Sequence, residues 1–213
     1  MTVFQAPARP RPWPGRPVSP QACALLVVDM QRDYCEPGYY MDRAGYDLRR
    51  LRAPIPRIRR AVRAAHQAGM PVIFTRQGRA AGEQTNPAGW PLTAAAGEPG
   101  WEIIPELRPL PGEAIIEKTT CNAFFSGELD ALLRGLGIRS LAFCGNTVDV
   151  CVHSSLRAAA DLGYDCLLLE DACGAVNRGL LRWAVESVLV ENGVFGCAAR
   201  AGEFVSALNS MKI

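Results

Sequence analysis

The chain has 213 residues, 49% hydrophobic and 21% charged, with a formal net charge of +2. That composition supplies one sizeable core and excludes a disordered chain, a collagen or a small disulfide-stapled scaffold. The near-neutral balance gives no general attraction to nucleic acid or anionic membranes, and no apolar run approaches the roughly 18–20 residues that cross a bilayer.

Residues 1–20 hold six of the sixteen prolines and no acidic residue. They read as an extended arm over the surface or a neighbouring subunit, and they lack the apolar stretch of a secretory signal. A single domain is expected over 21–213. CALLVVD (23–29) is a continuous apolar run ending in an acid, the pattern of a strand covered on both faces. Pro54 to Gly69 carries Ile55, Ile58, Val62 and Ala65 on one face, which predicts an amphipathic helix closed by glycine. MPVIFTR (70–76) is the next strand, and the Gly-, Ala- and Pro-rich stretch 77–100 a long loop or lid.

EAIIEK (113–118) is a third strand. A helix is expected over 128–136 from Leu129, Leu132, Leu133 and Leu136, then a fourth strand at SLAFCG (140–145). After a tight turn come a helix over 152–162, a fifth strand YDCLLLED (164–171) and a helix over 180–190. GVFGC (193–197) is expected as a short sixth strand, and a helix over 201–208 closes the chain. This alternation predicts a three-layer αβα fold around a mostly parallel six-stranded sheet of Rossmann-like type. In such sheets chemistry collects at the carboxyl ends of the strands.

Three reactive side chains fall there. Asp29 ends the first strand, Lys118 ends the third, and Cys151 lies in the turn after the fourth (GNTVDVCV, 145–152). The 23 bases comprise 21 arginines and two lysines, Lys118 and Lys212, so position 118 reads as one that needs a compact ammonium, not a planar fork. The eight cysteines form no CxxC pair, and the two histidines, His66 and His153, lack partners at ligand spacing. These counts point to reduced thiols, a cytoplasmic setting and no metal site. His153 reads as structural.

An acid, an ammonium and a thiol at one sheet edge suit nucleophilic acyl transfer without a cofactor. A helix N-terminus and a nearby ammonium would lower the Cys151 pKa, and Asp29 would take the thiol proton and pass it to a leaving amine. Backbone N–H groups of the turn would hold the oxyanion. Candidate substrate groups are Gln31, Tyr34, Arg76, Trp90, Asn122 and Phe124, with aromatic rings walling a planar ligand and amides bonding to it.

DMQRDY (29–34), the strand-terminal Lys118 and GNTVDVCVHSSLRAAADLGYDCLLLEDACGA (145–175) resemble the isochorismatase-like cysteine hydrolases over about residues 22–208. The resemblance implies a catalytic triad of Asp29, Lys118 and Cys151, an oxyanion hole shaped by a cis peptide at Asn146–Thr147, and a homotetramer. Val148 stands where the family usually has a hydroxyl residue. TRQGRAAG (75–82) lacks the histidine of the metal-binding nicotinamidase branch. Cys151 argues against the branch that hydrolyses a vinyl ether and has no cysteine nucleophile.

PWPG, GYDL (45–48), AGEPGWEIIPEL (96–107) and GVFG (193–196) are most similar to the biuret hydrolase branch. That likeness implies release of ammonia from a small ureide through a thioester-like intermediate on Cys151, with water as the second reactant. Cys121 replaces that branch's second lysine, and Glu191 falls near its glutamine. Losing a cation and gaining an anion would favour triuret or guanylurea. The alternatives are ureidoacrylate, an N-carbamoyl amino acid or maleamate, which carry carboxylates and for which Arg76 is the candidate anchor. An inactive interaction module on the same fold is the reading from another class, against which the intact Asp29, Lys118 and Cys151 argue.

Overall fold

The computed structural model describes residues 2–80, 82–83 and 93–211. Two strands, β1 (Phe4–Ala6) and β2 (Trp13–Val18), pair as an antiparallel ribbon. The other six are β3 (Cys23–Val28), β4 (Val72–Gln77), β5 (Ala114–Lys118), β6 (Ser140–Gly145), β7 (Asp165–Cys173) and β8 (Cys197–Ala199). They form one sheet in the order β5-β4-β3-β6-β7-β8, and each pairing within it is parallel. All residues of β3 and β6 are buried, as expected of central strands covered on both faces.

The helices are α1 (Arg32–Cys35), α2 (Tyr40–Arg43), α3 (Leu48–Arg52), α4 (Ile55–Gln67), α5 (Glu128–Gly135), α6 (His153–Asp161), α7 (Arg178–Gly193) and α8 (Ala201–Asn209). α4 buries Ile55, Ile58, Ala61 and Ala65, and Gly69 beyond its end takes a left-handed φ of +68°. It packs beside α8, while α6 and α7 pack together and against β7. The result is the expected αβα layering.

Residues 2–20 lie on the domain itself. Trp13 is fully buried against Phe4 and Phe204, with ring centroids 6.0 and 6.2 Å away, and its indole N–H donates to the Asp165 carbonyl at 2.9 Å. Arg9 and Ala198 exchange backbone hydrogen bonds of 2.9 and 2.8 Å, which covers the outer edge of β8.

Two expectations are revised, and one stretch without a sequence assignment is filled. GVFG is a turn, and the last strand begins only at Cys197. At Gly196, φ +150°, a Cβ would lie 2.5 Å from the Cys166 carbonyl oxygen, so glycine is there for close backbone approach. Residues 190–192 leave helical geometry, with Glu191 and Asn192 at φ +48° and +60°. Finally, the stretch 32–52 holds three short helices, α1–α3, too brief to show a helical period in sequence.

Candidate active site

The strand order creates a switch point. β3 lies at the centre, with β4 and β5 on one side and β6 to β8 on the other, so a crevice opens between the carboxyl ends of β3 and β6. Asp29, immediately after β3, is fully buried and takes a φ of +48°. Its N–H donates to Thr75 Oγ1 at 3.1 Å, and the Thr75 hydroxyl donates back to Oδ1.

Lys118 ends β5 and reaches across the end of β4. Its Nζ donates to Asp29 Oδ2 at 2.7 Å, Gln77 Oε1 at 3.0 Å and the Thr120 carbonyl at 3.1 Å. Three protons meet three acceptors, so the ammonium is fully satisfied. Burial works against its charge, but the Asp29 carboxylate and the Cys151 sulfur outweigh burial and hold Lys118 above its ordinary range.

Cys151 sits in a π-helical turn (Val148–Val152) that leads into α6, and its Sγ donates to Gln77 Oε1 at 2.7 Å. The turn is brought in by Gly145, φ +121°, where a Cβ would lie 2.1 Å from the Val28 carbonyl oxygen. The Asn146–Thr147 peptide that follows is cis. Asn146 turns its amide to the Leu51 carbonyl (3.1 Å) and Cys35 Sγ (3.3 Å), while Thr147 lines the crevice.

The thiol is not lowered in the way its ammonium neighbour suggests. A hydrogen bond with Cys121 and then burial push Cys151 well up, whereas the same hydrogen bond pulls Cys121 down to about 6, with Lys118 assisting. The two thiols form one coupled unit whose first charge lies beside Lys118.

Cys151, Cys121 and Gln77 line a cavity of about 260 Å³ together with Tyr34, Tyr40, Tyr46 and Asp149, and Lys118 and Asp29 join it through the Gln77 amide. That is room for a small molecule, with an aromatic wall and few polar groups. Larger concavities, about 400 and 540 Å³, lie beside α8 and the N-terminal segment, away from these groups.

The isochorismatase domain profile matches residues 23–195. The chain belongs to the isochorismatase family. It is 37% identical over 186 residues to the ureidoacrylate amidohydrolase RutB of Caulobacter segnis, covering 78% of this chain and 77% of that one. It is 36% identical over 219 residues to the protein of the same name from Variovorax paradoxus, covering 93% and 85%. Among solved structures it resembles a cysteine hydrolase from Pseudomonas syringae pv. phaseolicola (TM-score 0.78, 25% identity, 92% of this chain and 96% of that one). It shares the fold of an N-carbamoylsarcosine amidase from Thermoplasma acidophilum (TM-score 0.70, 22% identity, 85% and 97%).

Within this isochorismatase fold the remaining candidates separate. Tyr34 lines the cavity. Gln31 does not: its amide bonds to the Gln77 N–H and carbonyl and to the Trp101 carbonyl, at 2.7, 3.0 and 3.1 Å, and so ties the end of β4 to the segment beside it. Arg76 points the other way from Gln77 and pairs with Glu117 and Glu102 over the Trp101 ring. Asn122 caps its own turn by accepting from the Phe124 N–H at 2.8 Å, and Phe124 packs on Tyr164 at 5.9 Å. Glu191 is exposed at the end of α7 and is not part of the cavity wall. Trp90 lies outside the described residues. His153 is buried against Trp183, ring centroids 5.2 Å apart, in a packing position.

Sequence reasoning missed Gln77, Tyr40, Tyr46 and Asp149. Gln77 had a usable signal, because it is the last residue of β4 as Lys118 is of β5, and the two are paired in register. Asp149, two residues before Cys151, has an Oδ1 that is buried with no hydrogen-bond partner among the described residues.

Proposed function

We propose that this isochorismatase-family chain is a cysteine amidohydrolase that cleaves a C–N bond of a small ureido compound. The observation that carries this reading is the meeting of the Cys151 thiol and the Lys118–Asp29 ion pair on one Gln77 amide at the cavity floor. The Cys151 sulfur attacks the carbamoyl carbon while its proton moves to Asp29. Lys118 stabilises the charge left in the buried site. Val148 donates its N–H to the Gly174 carbonyl, and Val150 and Val152 donate to the Thr147 carbonyl. We therefore assign the oxyanion to the backbone N–H groups of this turn, with Thr147, whose N–H has no backbone partner among the described residues, as the leading donor. The C–N bond then breaks, the leaving amine takes the proton from Asp29, and water releases the acyl group from sulfur.

The names of the curated relatives favour a ureidoacrylate-type substrate over biuret, triuret or guanylurea. The triuret or guanylurea preference drew on Cys121, which lines the cavity, and on Glu191, which stands outside its wall. A neutral ureide is the second reading, and Asp149 favours it, because this residue lines the cavity with a buried, unpartnered Oδ1 and its charge would repel a substrate acid. Ammonia release from ureidoacrylate, biuret, triuret and guanylurea by wild type and Cys151→Ser tests both. Turnover by wild type alone, highest on ureidoacrylate, is expected. Equal signal from both proteins removes Cys151 from the mechanism, and none on any ureide overturns the amidohydrolase reading.

A further inference from the structure

The cavity holds a thiol that the hydrolytic reaction does not use. Cys121 lies on the turn after β5, partly exposed, and lines the same cavity as Cys151. The two thiols line one cavity and lie on either end of one side-chain amide, that of Gln77. Gln77 spans them, accepting from Cys151 Sγ through Oε1 at 2.7 Å and lying 3.9 Å from Cys121 Sγ through Nε2. The Cys121 backbone belongs to neither strand nor helix, so its turn is free to adjust as the two sulfurs approach a bond length of about 2.05 Å.

The rest of the thiol inventory sharpens the contrast. Cys23, Cys35, Cys144, Cys166, Cys173 and Cys197 are all buried, and burial raises each above the ordinary thiol range. Buried protonated thiols are poor nucleophiles, so oxidants find their thiolate in the cavity pair beside Lys118.

We propose that Cys121 and Cys151 form a site of oxidative modification, in which a hydroperoxide entering the cavity joins them as a disulfide. In the first step a thiolate of the pair attacks a peroxide oxygen. The O–O bond breaks, the attacked oxygen stays on the sulfur as a sulfenic acid, and the other peroxide oxygen leaves, once protonated, as water or, from an organic hydroperoxide, as an alcohol. In the second step the other thiolate attacks that sulfur and expels its oxygen as water. Two thiols lose two electrons and one peroxide gains them. The bond occupies the sulfur that attacks the substrate and stops it short of the irreversible sulfinic acid; a dithiol reductant restores both thiols. The disulfide itself does not depend on the hydrolase reading, since it needs no substrate; only its effect on turnover does.

The test is hydrogen peroxide treatment of the intact protein, then mass analysis of an unreduced tryptic digest. A cross-link between peptides 119–134 and 140–157 is expected. Fragment ions must place it on Cys151, because Cys144 shares the second peptide. Wild type treated with excess peroxide and then dithiothreitol should regain most of its ammonia release. Cys121→Ser should instead accumulate Cys151 sulfinic acid and stay at least about tenfold below its own untreated rate. Absence of the cross-link in wild type overturns the proposal, as does equal sulfinic acid at Cys151 in both proteins. The cross-link is read on wild type by mass, so it decides the matter even if no ureide is turned over or the variant folds poorly.

Discussion

Replacing Lys118 by arginine keeps the charge and changes only its shape. The ammonium lies in a site where its side chain is 4% exposed, with acceptors at 2.7, 3.0 and 3.1 Å on three separate groups. A planar fork matches one carboxylate well but not three acceptors arranged around a point. Losing one charge-assisted hydrogen bond costs about 1.5–3 kcal/mol, and overfilling a packed site about 1–3 kcal/mol. If about 3 kcal/mol of this reaches the transition state, kcat/KM falls about 100-fold or more. Stability should fall by about 1–3 kcal/mol in urea unfolding. Lys118→Met is the control, for it strands a buried carboxylate and should cost about 3–5 kcal/mol. Pairing raises the folded Lys118 above its ordinary 10.5, so its contribution is complete below that pH and is lost only as pH climbs through the folded value. Measurements at neutral pH therefore read the whole effect. Ammonia release by Lys118→Arg within about threefold of wild type, with unchanged stability, would refute the claim that this position requires an ammonium.

Gln77→Leu should lower kcat about 10–100-fold with little change in KM, because it removes the acceptor shared by Cys151 and Lys118 while the backbone bonds to Gln31 persist. Steady-state kinetics and the rate of Cys151 alkylation by iodoacetamide check it. Asp149→Asn should raise the ratio of kcat/KM for ureidoacrylate over biuret about fivefold, mainly through KM, since two like charges roughly 4 Å apart in water-like surroundings repel by about 1 kcal/mol. Trp13→Ala should destabilise the fold by about 3–5 kcal/mol in urea unfolding, as expected when a fully buried indole is truncated.

The sheet and the three reactive positions were legible because each has a one-dimensional signature. β3 and β6 are buried along their whole length, α4 has a 3.6-residue stripe, Asp29 and Lys118 stand at strand ends, and Cys151 lies in the turn after β6. The N-terminal ribbon had no such signature. Prolines mark extended chain, but nothing local shows that Trp13 will find Phe204, which lies near the opposite end of the sequence. The turn at GVFG was likewise decided by a distant group, the Cys166 carbonyl that leaves no room for a Cβ at Gly196.

Substrate-facing groups were harder because polarity at a strand end does not reveal which way a side chain points. Arg76 and Gln77 are neighbours, and alternation along a strand sends them to opposite faces. The charged one goes to Glu117 on β5, and the neutral one goes to the cavity floor. A one-residue difference thus separates a surface ion pair from the group that holds both the ammonium and the thiol. Gln31 shows the complementary case. Its amide has the right chemistry to grip a ureide, but three backbone groups already occupy it. What it does for the site is indirect, because it fixes the backbone on both sides of the Gln77 side chain. If that positioning matters, Gln31→Ala should impair kcat together with Cys151 alkylation, whereas loss of a substrate contact would raise KM and leave the thiol's reactivity unchanged.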